Sequence, residues 1–324
     1  MEPFRDVVDS YLGFASEARD SRCFEAWAKA VAEDPEVRSL IATLPAVKQQ
    51  PNLVFAAARW HGAQAPGPYA GLRSLLVSDW ALVRSTILRR STQTNEVRRL
   101  ATLVPAFAAI TPGPVALLEV GASAGLNLFP DRYSYLWRAA DGSARRAGKG
   151  PELSCDVRGR MPVPSAVPEI GWRGGIDLNP LDVTDADAMA WLENLVWPEQ
   201  EERREGLRTA IRIAAAEPPH LRAGDLIEEL PGMLEELPNG LTPIVFHSAV
   251  IAYLQPPRRV EFHRLMTELV AAGRCHWVSN EAPHVVPEVA DGLPVPADPS
   301  FLLAIDGRPV GWTHGHGATL TALG

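Results

Sequence analysis

A chain of 324 residues, 46% of them hydrophobic, can bury a core in one large domain or two ordinary ones without staples. A formal net charge of −8 with no basic run argues against nucleic acid or an anionic membrane as partner. Cys23, Cys155 and Cys275 form no C-x-x-C pair, no apolar run approaches ~18 residues, and residues 1–6 lack a basic-then-apolar leader, so the expectation is a cytoplasmic chain without a cysteine metal site or membrane span.

The first third reads as helical. Phe4, Val7, Val8 and Tyr11 recur at helical spacing, as do Phe24, Trp27, Ala28 and Val31 after Asp20-Ser21. Leu72, Leu76, Trp80, Val83 and Ile87 form a third stripe. Val97, Leu100, Val104 and Phe107 form a fourth, with Thr94 or Asn95 as cap and Glu96 in the first turn. Pro66, Gly67 and Pro68 mark a loop between them. No strand pattern precedes Val115, and the break at Thr111-Pro112-Gly113-Pro114 divides a helical domain, 1–112, from an α/β domain, 113–324.

Residues 115–128 organise the second domain. Val115 to Val120 is a short apolar run, read as a strand buried on both faces, and Glu119 sits at its end. Gly121, Ser123 and Gly125 follow at alternate positions, and Leu126, Asn127 and Leu128 look like the first turn of a helix. Small side chains let a backbone approach a ligand, and a helix start offers it free N–H groups. A dinucleotide fingerprint fits poorly, because its third and sixth positions hold Ser123 and Leu126; the Gly-Lys-Ser/Thr ending of a Walker loop is absent. G-x-S-x-G fits literally, which raises a serine hydrolase with Ser123 as nucleophile. That chemistry needs an oxyanion-hole loop after an earlier strand, and only helices are predicted there.

An insertion at about 130–172 comes next. Residues 133–138 alternate like a strand, Asp141-Gly142 is a hairpin turn, and residues 153–158 extend or pair that hairpin. Residues 175–180 then put Asp177 where a second parallel strand ends, as a turn residue or as the acceptor for a ribose diol. Residues 220–226 read as a third strand ending in Gly224-Asp225. Residues 243–250 carry His247 on a fourth, and 275–281 carry Glu281 on a fifth with His284 beyond. Residues 301–305 and 309–313 form a last hairpin across Asp306-Gly307, with His314 and His316 read on one face of its second strand.

The run Glu119-Val120-Gly121-Ala122-Ser123-Ala124-Gly125, with acidic strand ends at Asp177 and Asp225, resembles class I S-adenosylmethionine-dependent methyltransferases from residue 115 onward. Residues 93–96, 119–127, 175–182 and 197–200 are also similar to marker segments of a bacterial family filed as a domain of unknown function. The resemblance implies a Rossmann-like, mostly parallel α/β sheet with a C-terminal antiparallel hairpin, preceded by a helical domain. It further implies S-adenosylmethionine held by Glu119, Gly121, Ser123, Gly125, Asn127, Asp177, Leu178, Asp225 and Leu226, with Asp225 towards the adenine. The acceptor side is expected at Gln93, Asn95 and Glu96, with His247, Glu281 and His284 as catalytic groups at the strand ends. The fourth strand lacks the Asp/Asn-Pro-Pro-Tyr motif of methyltransferases that act on bases, so the expected acceptor is a small molecule, methylated at oxygen or nitrogen. A serine hydrolase and a non-catalytic, nucleoside-binding relative are the alternatives.

Overall fold

Side-chain caps start two of the helices in the first ninety residues. A computed structural model describes residues 6–93, 95–294, 296 and 300–323; Phe4 of the first stripe and the cap candidate Thr94 lie outside them. The helices are α1 (Val7–Glu17), α2 (Arg22–Glu33), α3 (Pro35–Ala42), α4 (Pro51–Trp60), α5 (Tyr69–Ser78) and α6 (Trp80–Arg89). Ser21 Oγ accepts from Phe24 N to start α2, and Asp34 caps α3, whose first residue is Pro35. The single stripe predicted from Leu72 to Ile87 is two helices, broken at Asp79, which leaves helical geometry at φ −124° and ψ 30°.

The remaining elements are α7 (Leu100–Ile110), β1 (Val115–Val120), β2 (Ser134–Ala139), β3 (Ala144–Gly148), β4 (Glu152–Arg158), β5 (Ile170–Asp177), α8 (Ala186–Leu195), α9 (Glu201–Ala216), β6 (His220–Ala223), α10 (Leu226–Glu235), β7 (Thr242–Ser248), α11 (Pro256–Ala271), β8 (His276–Glu281), α12 (Pro287–Ala290), β9 (Phe301–Ile305), β10 (Arg308–Thr313) and β11 (Thr319–Ala322). The described chain divides into two units, residues 6–93 with Asp185–Thr209, and residues 95–184 with 210–323. The Thr111-Pro112-Gly113-Pro114 signal places the break at 112/113. The units divide at 94/95 instead, because α7 is apolar all round and packs on the sheet: Phe107 meets Phe246 edge-on at 5.2 Å, and Ala101 O accepts from Trp137 Nε1 at 2.7 Å.

In the helical unit, Phe14, Phe24, Trp27, Phe55 and Trp197 make one aromatic cluster. The marker segment 197–200 is a staple of this unit. Trp197 Nε1 donates to Asn52, and Glu199 accepts from Ser21 Oγ and Cys23 N at the start of α2. Arg59 donates to the Asn194 and Val196 carbonyls, and burial brings its pKa down from 12.5 to about 10.

In the other unit the described strands form one eleven-stranded sheet, ordered β3-β2-β4-β11-β10-β9-β8-β7-β1-β5-β6. Strands β6, β5, β1, β7 and β8 run parallel. This stretch has the order of an open doubly wound sheet, in which β1 is central and the direction of winding reverses. Strands β9 and β10 form the expected hairpin, with Asp306 and Gly307 both at positive φ. The insertion is part of the same sheet: β2 and β3 form the hairpin, β4 lies parallel to β2, and β11 joins β4 to the C-terminal strands. Strand alternation sends Leu118 and Val120 into a core with Met233, Phe262 and Met266 of α10 and α11.

Candidate active site

The helix expected after β1 does not form. Leu126–Leu128 is a single 3-10 turn, followed at once by another at Pro130–Arg132. A helix opening at Leu126 would put Pro130 inside it, against the carbonyl four residues back. The loop's amides are instead bound by β5: Gly121 N and Ala122 N both donate to Ile176 O, and Ser123 N donates to Asp177 Oδ2 at 2.8 Å. Gly121 has φ +73°, and a Cβ there would stand 2.4 Å from Val250 Cγ1, so its missing side chain makes room for the chain leaving β7. Gly125, at φ +68°, makes room in the same way for Pro219. Ser123 takes φ +52°, a strained value for a residue with a side chain.

Glu119, on the opposite face of β1 from Leu118, is 4% exposed. Its Oε1 accepts from Asn127 Nδ2 at 3.1 Å, whereas Glu119 Oε2 and Asn127 Oδ1 are buried with no hydrogen-bond partner among the described residues. Burial raises its pKa from 4.5 to about 8; the Asn127 bond and the charge of Arg99 only partly offset this, and Asp177 reinforces it. Asp177 holds the Ser123 amide with Oδ2 and the Asn179 amide with Oδ1. Each of its oxygens keeps a second lone pair for another donor. Leu178 beside it is 78% exposed, and Tyr253, in the turn after β7, is 72% exposed.

Four predicted residues are engaged by the fold itself. Asp225 caps α10 through Ile227 N and pairs with Arg258 at 2.6 Å; although burial raises its pKa, these contacts bring it below the usual carboxylate value. Leu226 packs against the core under α10 and α11. His247 is fully buried, because alternation along β7 aims it at Phe262 and Trp277. Trp277 Nε1 donates to His247 Nε2 at 3.0 Å, so Nδ1 carries the proton and donates to Glu281 Oε1 at 2.7 Å. Neither ring nitrogen remains to take a substrate proton, and His247 is a core histidine. Glu281 Oε1 also accepts from Val250 N and Ile251 N, fixing the turn after β7. His284 is exposed.

The segment before α7 reaches this edge of the sheet. Asn95 Nδ2 donates to Ser123 Oγ at 2.9 Å, and no histidine is hydrogen-bonded to Ser123 among the described residues. Glu96, not Asn95, caps the 3-10 turn Val97–Arg99 by accepting from Arg98 N. Arg99 is 5% exposed; it donates through Nε to Gly315 O and through Nη1 to Ser248 O at the end of β7. Sequence reasoning missed Arg99, since a buried arginine leaves no local pattern. His314 and His316 lie in the turn between β10 and β11, not on the strand. Gln93 belongs to the helical unit.

The helical unit contains a cleft of about 440 Å³ lined by Trp60, Thr86, Arg89, Arg90 and Asp187. Arg90 pairs there with Asp187 and lies over Trp60 and Trp191. Among the described residues this cleft holds no small-residue loop and no unpartnered buried acid, so chemistry favours the carboxyl edge of the sheet.

No curated protein matches the chain. A family model described as "Uncharacterized protein conserved in bacteria (DUF2332)" matches residues 8–321, and the chain belongs to that family.

Proposed function

We propose that the chain transfers a methyl group from S-adenosylmethionine to an oxygen or nitrogen of a small-molecule acceptor. One juxtaposition carries this reading: the small-residue loop 121–125 and buried Glu119 end the central strand where the order β5-β1-β7 reverses the winding. Open α/β sheets bind ligands in the crevice outside the carboxyl ends of their strands at such a point. The residues there suit the cofactor. Glu119 Oε2 and Asn127 Oδ1 are buried oxygens in want of partners, and ribose hydroxyls, which both donate and accept, offer them. Exposed Leu178 and Tyr253 offer apolar surface to a planar base.

Glu119, Asn127, Asp177, Leu178 and the loop would hold the cofactor, which when bound supplies a methyl group activated on a sulfonium. The protein's own share is to align the acceptor and exclude water, since in-line displacement gains most from positioning. The test is mass spectrometry of small molecules released from freshly purified, denatured protein. S-adenosylmethionine or its homocysteine product at near one per chain supports the reading. A protein free of both that is labelled by a fluorophosphonate, with labelling lost in Ser123→Ala, supports the hydrolase instead. Bound nucleoside without turnover on a broad acceptor panel supports a non-catalytic role.

A further inference from the structure

The turn between β10 and β11 brings His316 against Glu96. Nδ1 of His316 lies 3.4 Å from Glu96 Oε2, an ion-pair distance without hydrogen-bond alignment. Glu96 is nearly buried, while the His316 side chain is 42% exposed. Nδ1 is enclosed, so that exposure lies on the rest of the side chain, of which Nε2 is the polar atom. Catalytic hydrogen bonds are often long before substrate arrives and tighten in the complex.

The surrounding contacts tie this pair to the carboxyl edge of the sheet. Asn95, next to Glu96, holds Ser123 of the β1 loop; Arg99 holds Gly315, next to His316, and Ser248 at the end of β7. A Cβ on Gly317 would stand 2.3 Å from Arg98 O, so the turn is seated on the segment that carries Glu96. The charged and titratable groups facing His316 are Glu96, His314, whose ring lies 5.6 Å away and whose Nδ1 accepts from His316 N, and Arg99 beneath the turn.

From this geometry we infer that His316 is the general base for the acceptor and Glu96 the positioning residue that orients its ring, an inference that rests on the methyl-transfer reading. His316 Nε2 takes the proton of the acceptor's O–H or N–H, and the freed lone pair bonds to the transferred carbon. The electron pair of the broken carbon–sulfur bond stays on sulfur, which becomes a neutral thioether. The imidazolium, stabilised by Glu96, returns its proton to solvent; nothing is oxidised or reduced. A carboxylate behind a histidine is a recurrent way to fix its tautomer and favour its charged form.

The experiment combines nitrogen-15 NMR of the His316 ring, which reports its tautomer, with turnover on a panel of hydroxyl, carboxyl and amine acceptors. In the wild type the neutral His316 ring is expected to carry its proton on Nδ1, facing Glu96, and in Glu96→Leu mostly on Nε2, a difference that needs no cofactor or acceptor. His316→Asn should lose at least about a hundred-fold in turnover, keep its affinity for S-adenosylhomocysteine within two-fold, and recover part of its rate with added imidazole. The same His316 tautomer in both proteins, or wild-type turnover in His316→Asn, overturns the inference. A wild type that binds no S-adenosylhomocysteine overturns the methyl-transfer reading instead, and the tautomer comparison still decides whether Glu96 orients His316.

Discussion

Glu119 carries a buried carboxyl with one oxygen unpartnered, and its protonation ties stability to pH. The unfolded chain releases this proton above about 4.5, while the folded chain keeps it up to about 8. The folded state therefore binds more protons between those values, and stability falls as pH rises through that window, then levels off. Each unit of difference is worth ~1.4 kcal/mol. Glu119→Gln keeps the shape without the ionisation, so its stability relative to wild type should rise by a few kcal/mol between pH 5 and pH 8. Urea denaturation at the two pH values measures this; a difference that stays constant means Glu119 is ionised in the fold. Asp177 differs, because its oxygens hold two backbone amides. Asp177→Ala should cost ~1–3 kcal/mol of stability as well as ligand affinity; weakened binding of S-adenosylhomocysteine with an unchanged melting temperature would show that the bracing is unimportant. Both carboxylates were legible in the sequence as acidic strand ends. The role of His247 was not, since strands buried on both faces hide which way a side chain points. Nor was the meeting of Glu96 with His316, which no local pattern records.

At the scale of elements, the loop after β1 shows why glycine is needed at 121. Sequence reading assigned that need to a ligand, whereas the atoms a Cβ would strike belong to Val250. Gly121→Ala should therefore destabilise the unit by more than ~2 kcal/mol, from the left-handed backbone and the collision together. Adding Val250→Ala should recover ~1 kcal/mol or more of that loss in a double-mutant cycle. Strictly additive losses would mean the two residues do not share the space. The parallel strands and the C-terminal hairpin were legible from apolar runs closed by acids and from the Asp306-Gly307 turn. The pairing of β4 with β11 was not, because parallel neighbours distant in sequence carry no turn signal between them. The helix predicted at Leu126 failed for a local reason, Pro130, that the apolar pattern outweighed in the reading.

At the scale of the whole molecule, membership of a family matched from residue 8 to residue 321 means that both units belong to one conserved design. No described helix is long and apolar enough to cross a membrane. The central claim is that the carboxyl edge around β1 binds S-adenosylmethionine, and it is tested most directly by calorimetric titration of the full-length protein with S-adenosylhomocysteine. The account predicts saturable binding at one site per chain, weakened about ten- to a hundred-fold in Asp177→Ala, corresponding to ~1.4–2.8 kcal/mol. No heat from the folded wild type with either the cofactor or its product at millimolar ligand would contradict it.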